Sequence, residues 1–139
     1  MTAPVVLDAD GLDAVCDRRP PEAVRALLHE AWIRGRDVLV PAVVCAEVCR
    51  GVARTRRVEA AVARTRAPFS VVATDFALAR QVGAVLHGAS ADSRDMIDAH
   101  VVALCVVHDG GLVVTADADD MERLARAVPA VRIVTRPAR

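Results

Sequence analysis

Short runs of consecutive apolar residues, rich in valine and separated by segments of helical spacing, set the strongest limit on how this chain can fold. Pro4 to Leu7, Asp37 to Val40, Phe69 to Ala73, Leu112 to Thr115 and Val131 to Val134 each read as a strand with little polar alternation. Continuous apolar strands are covered on both faces. Helical segments lie between them. Pro20-Pro21 opens one that carries Ala23, Leu27, Leu28 and Ile33 at helical spacing and ends at Gly35. Pro41 opens another through Cys49, with Gly51 as its stop, and further helices are expected over Arg54 to Arg66 and Phe76 to Leu86. Ser90 to Ser93 is a polar capping loop before a long helix, Arg94 to His108, and Asp119 to Val128 is the last helix. The alternation predicts an α/β fold, a three-layer α/β/α sandwich around a central parallel five-stranded sheet. No linker, repeat or low-complexity segment interrupts the 139 residues, so one domain is expected over 1–139. In such sheets the site lies at the carboxyl ends of the strands, near a topological switch point.

Composition removes several classes of function. Eighteen basic and eighteen acidic residues cancel, which excludes a polycation that coats nucleic acid indiscriminately. Every basic residue is arginine, so no lysine ammonium or Schiff base is available. One Trp, two Phe and no Tyr leave no aromatic platform for stacking single-stranded bases. Hydrophobic residues make up 54% of the chain, ample for a core. The longest apolar run, Val101 to Val107, is too short for a bilayer, and Met1-Thr2-Ala3-Pro4 lacks the features of a secretory signal. Cys16, Cys45, Cys49 and Cys105 are too few for a disulfide scaffold. A soluble, cytoplasmic, reduced protein with no membrane partner is expected.

The chemistry points to carboxylates in apolar surroundings. Asp8 ends the first strand, and Asp117 follows the fourth. Glu47 is the one charge between Pro41 and Cys49; Asp98 and His100 are the strongly polar groups between Met96 and Val107. Helices apolar nearly all round are expected to be buried. An ionised carboxylate there costs several kcal/mol, of order, unless it is paired. Acids gathered in one cleft need a cation or must take up protons. Mg²⁺ or Mn²⁺ suits carboxylate oxygens and would serve displacement at phosphorus. Asp95 and Asp98, three apart, share a helix face, and Asp117, Asp119 and Asp120 crowd the end of the fourth strand.

Four segments in order carry a resemblance: Val5-Val6-Leu7-Asp8-Ala9, Val40 to Gly51, Asp98 to Ala103, and Leu112 to Asp117. Together they resemble PIN-domain ribonucleases of the kind found as VapC-type toxins in toxin–antitoxin pairs. The resemblance implies that Asp8, Glu47, Asp98 and Asp117 form a catalytic quartet holding Mg²⁺ or Mn²⁺. It implies Asp95 and Asp120 as accessory acids and Thr115 as a polar neighbour. It further implies metal-dependent cleavage of RNA phosphodiester bonds, a homodimer, and inhibition by a cognate antitoxin protein. Asp10 stands where the family often has Ser or Thr, and is a possible further ligand.

Other readings compete at each position. Asp8 beside Gly11 suits a turn; Glu47 suits a solvated helix face; Asp95 suits a helix N-terminus; and Asp119 suits an N-cap. His100 is expected to be satisfied by local packing. Arg50, Arg54 and Arg57 are candidate RNA contacts, against the common case of arginines on a solvated helix. Cys45 and Cys49 lack a partner pair for zinc. Asp8-Ala9-Asp10-Gly11 also resembles the opening motif of haloacid-dehalogenase-like phosphatases, with Asp8 as nucleophile and Asp10 as acid/base. A non-catalytic PIN-like interaction module is the remaining alternative.

Overall fold

In the computed structural model, which describes residues 2–139, five strands form one parallel sheet in the order β3-β2-β1-β4-β5. They are β1 (Val5–Leu7), β2 (Val38–Pro41), β3 (Ser70–Val72), β4 (Gly111–Thr115) and β5 (Ile133–Pro137). Helices α1 (Ala9–Cys16) and α2 (Glu22–Ile33) join β1 to β2, and α3 (Ala42–Val48) and α4 (Val52–Val62) join β2 to β3. The return to β4 runs through α5 (Phe76–Gly88), a 3₁₀ turn (Ser93–Asp95) and α6 (Met96–Val107); α7 (Ala118–Ala125) leads to β5.

The strand order explains the layers. From β1 the chain steps outward through β2 to β3, then reverses to β4 and β5 on the other side of β1. Parallel crossovers are right-handed, so the reversal moves the helices to the opposite face. Accordingly α1 packs with α2, α3 and α4, while α6 packs with α5 and α7 and lies over β1, β2 and β4. Val5, Val6, Leu7, Val40, Val113 and Val114 are nearly inaccessible between the layers. The switch point falls between β1 and β4, where Leu7 pairs in register with Val114.

Three expectations need correction. The turn expected at Asp8 to Gly11 is the first turn of α1, a helix that the sequence reading lacked. Helix α3 is not buried all round: Val44 and Val48 face inward, and Glu47 is exposed. Seven residues present only one inward stripe, and that stripe meets α1. Asp119 is exposed and does not cap α7; Asp117 holds that place. Helix α6, by contrast, is buried continuously from Ala99 to Cys105.

Candidate active site at the switch point

Asp8 leaves β1 and caps α1. Its Oδ1 accepts the Gly11 N–H at 2.8 Å, and its own N–H donates to the Val114 carbonyl at 3.3 Å. The side chain is thus fixed between the two central strands at 4% exposure. Gly11 is required for this placement. A Cβ there would stand 2.5 Å from the Val114 carbonyl oxygen, so α1 can lie against β4 only without a side chain. Burial raises the Asp8 carboxyl to about 6, against the pull of the Thr115 hydroxyl and the Gly11 N–H; nearby Asp10 adds to the rise.

Thr115 ends β4 and is itself buried. Its hydroxyl accepts the Asp117 N–H at 2.9 Å, which bends the chain into α7. Asp117 then accepts the Asp120 N–H at 3.2 Å as N-cap. One hydroxyl therefore links the carboxylate at the end of β1 to the acids after β4.

Asp98 stands half-buried in the first turn of α6. Its carboxyl is raised to about 6, first by burial and then by the negative charges of Asp8, Glu47, Asp120 and Asp117. The fold thus brings all four quartet acids, with Asp120, into one electrostatic neighbourhood. Asp120 is likewise raised, first through its contact with Asp117. The donors are all carboxylates, the chemistry a hard divalent cation takes, and the crowding on Asp98 is the conflict such an ion relieves. Among the described residues, no three His, Cys, Asp or Glu side chains are already placed to hold a metal ion.

Other sequence candidates lie beside this group or apart from it. Asp95 forms a 2.7 Å ion pair with Arg123 of α7, which also lies 3.8 Å from Asp120. Asp95, Asp98, Asp120 and Arg123 share the wall of a cavity of about 500 Å³. Asp10 is exposed and lines a neighbouring cavity of about 290 Å³ with Thr115. His100 sits within the buried run of α6, with Nδ1 2.8 Å from the Met96 carbonyl oxygen; its Nε2 is buried without a hydrogen-bond partner among the described residues, so local packing does not satisfy the ring as expected. Arg50 and Arg54 are exposed around the α3–α4 junction, whereas Arg57 is 3.8 Å from Asp13. Sequence reasoning missed Arg123 and Gly11. The spacing of Arg123 three residues after Asp120 was the available signal for the first.

Comparison with known proteins agrees with this architecture. The family model described as PIN domain matches residues 11–127. A solved structure described as FitAB bound to an IR36 DNA fragment shares the fold at a TM-score of 0.63 and 16% identity, over 96% of this chain and 94% of that one. No curated protein sequence matches the chain. Among the described residues no helix is long and apolar enough to cross a membrane.

Proposed function

The chain belongs to the PIN-domain family, and from that premise we propose that it is a divalent-metal-dependent endoribonuclease, the toxin of a toxin–antitoxin pair. The observation that carries this reading is the PIN-domain match over residues 11–127, beside the negative charge that Asp8, Glu47, Asp117 and Asp120 bring to bear on Asp98. Asp8, Glu47, Asp98 and Asp117 are assigned as the residues that hold Mg²⁺ or Mn²⁺, and Asp120 and Asp95 as accessory acids. A cation held there would offset charge on the phosphate oxygens and make a water acidic enough to attack phosphorus. The buried carboxyl of Asp8, fixed by Gly11 and Thr115, orients that edge of the cleft. Arg50 and Arg54, exposed near Glu47 in sequence, are assigned to the RNA backbone.

FitAB, whose structure is described as bound to a DNA fragment, shares this fold. Antitoxin binding, homodimer formation and a cytoplasmic site of action complete the proposal. The family match favours this reading over the dehalogenase-like phosphatase, as does Asp10, which lies exposed on α1. Purified protein incubated with total RNA tests it, with Mn²⁺, with EDTA and as Asp98→Ala. Discrete fragments that require both the ion and Asp98 are expected. Turnover of p-nitrophenyl phosphate with intact RNA would return the phosphatase reading.

A further inference from the structure

The chain has no net charge, yet its acids and arginines are unevenly distributed among its cavities. Acids gather at the carboxyl ends of β1 and β4. At the amino ends of β4 and β5 lies a different cavity, of about 430 Å³, bordered by Arg36, Arg132 and Arg136 with Asp109 as its single acid. The Arg36 Nε donates to the Ala3 carbonyl, which anchors that guanidinium beside the cavity. Arg132 and Arg136 are exposed, and the ion pairs among the described residues include neither.

Arg136 also borders the cavity that adjoins the acid site and contains Asp10, Thr115 and Arg139. Its Nη1 donates to the Thr135 carbonyl at 3.0 Å, leaving further N–H groups open. The acids of that cavity differ in state. Asp13 is held by Arg57 and Arg139, at 3.8 and 3.5 Å, whereas the ion pairs among the described residues include none to Asp10. Strand β5 is the sheet edge, and Arg136 on it lines both cavities.

We propose that the edge of β5 is a nucleic-acid track. The phosphodiester chain leaving the acid cleft passes Arg136 and continues to the cavity lined by Arg132 and Arg36. A strand of five residues is roughly 17 Å long, enough for several nucleotides. Arginine suits the task because its planar fork meets phosphate oxygens in pairs. The inference deepens the nuclease reading and rests on it.

Phosphate contacts are independent of sequence, so fluorescein-labelled oligouridylates are adequate probes. Anisotropy would be measured with Asp98→Asn protein, which retains the track, using chains of about four and about twelve nucleotides at several salt concentrations. Adding Arg132→Gln should weaken the longer chain several-fold and lower its salt slope by about 0.7, with the shorter chain unaffected. Adding Arg136→Gln should lower the slope for the longer chain by a similar step. Arg126→Gln removes an equal charge at the C-cap of α7 and should leave the slope unchanged. Wild-type-like binding of the longer chain by both track variants, in a protein whose parent cleaves RNA, would overturn the track alone. Failure of the Asp98→Asn protein to bind either oligonucleotide, with no cleavage by wild type, would overturn the nuclease reading with it.

Discussion

Arg123 of α7 holds Asp95, at the head of α6, through a 2.7 Å ion pair that spans 28 residues of sequence. The same guanidinium lies 3.8 Å from Asp120. Arg123 therefore supplies positive charge to Asp95 and Asp120, while the ion pairs among the described residues include none to Asp8, Glu47, Asp98 or Asp117. The acids divide into a pair with an internal counter-charge and a quartet without one. That division favours the quartet over Asp95 as the seat of an external cation.

Replacing Arg123 with Gln should shift this balance. Asp95 and Asp120 lose their counter-charge, so the field around the cleft becomes more negative and Mn²⁺ should bind several-fold more tightly by calorimetry. The pair is partly exposed, so its loss should cost the metal-free protein only about 0.5–1 kcal/mol. Unchanged Mn²⁺ affinity would mean that Arg123 serves packing alone.

Asp98→Asn removes the charge at the centre of the crowd. Cleavage of RNA should fall by about 10³-fold, because transition-state charge stabilisation worth several kcal/mol goes with the cation. The metal-free variant should nevertheless melt higher than wild type at neutral pH. Discounted for solvent screening of a half-buried group, relief of repulsion is about 1 kcal/mol, or roughly 3 °C. A variant that melts lower in EDTA would show that Asp98 stabilises the fold instead.

The two raised carboxyls give stability a definite pH dependence. Asp8 and Asp98 are raised from 3.8 to about 6 in the folded chain. Between those values the folded state keeps protons that the unfolded state has released. Stability of the metal-free protein should therefore fall as pH rises from about 4 to about 6, then level off. A bound cation favours the ionised carboxylates, so its stabilising effect should grow over the same interval. Thermal melts in EDTA and in Mn²⁺ across this range test both slopes, and a stability in EDTA that rises through the window would contradict the burial argument.

Gly11→Ala tests how the site is seated. The added Cβ meets a backbone oxygen, Val114 O at 2.5 Å, which cannot rotate away. The variant should lose about 1–3 kcal/mol of stability. Its cleavage should fall even where it remains folded, since α1 carries Asp8 at its cap. Normal activity in a stably folded variant would detach the seat of α1 from the chemistry.

The strands and the four separated acids were legible because each signal is local. An apolar run marks a covered strand, and a lone charge within or after it stands out. Helix α1 was not legible: Asp8-Ala9-Asp10-Gly11 has the composition of a turn, and the need for Gly11 arises from close approach to β4, a tertiary fact. The exposure of Glu47 stayed one of two readings for a related reason, since apolar residues on a seven-residue helix do not say which side meets a partner. Asp119 and Asp117 are both good caps, and the hydroxyl of Thr115 decides between them by taking the Asp117 N–H. The Asp95–Arg123 pair, too far apart in sequence, required the packing of α6 on α7.

Thr115→Val isolates the link between the two central strands. Valine keeps the volume and removes the hydroxyl that pulls the Asp8 carboxyl down and accepts the Asp117 N–H. Without that pull, Asp8 should titrate above its present value of about 6. A carboxylate that must be ionised to hold a cation then becomes available at higher pH, so the acid limb of kcat/KM should move upward. The freed Asp117 N–H should also loosen the cap of α7, at a cost of about 1 kcal/mol. A purely structural Thr115 would lower stability without moving the pH profile; a profile displaced to higher pH, with Mn²⁺ affinity reduced at pH 6 and restored near pH 8, identifies the hydroxyl as the positioning group for Asp8.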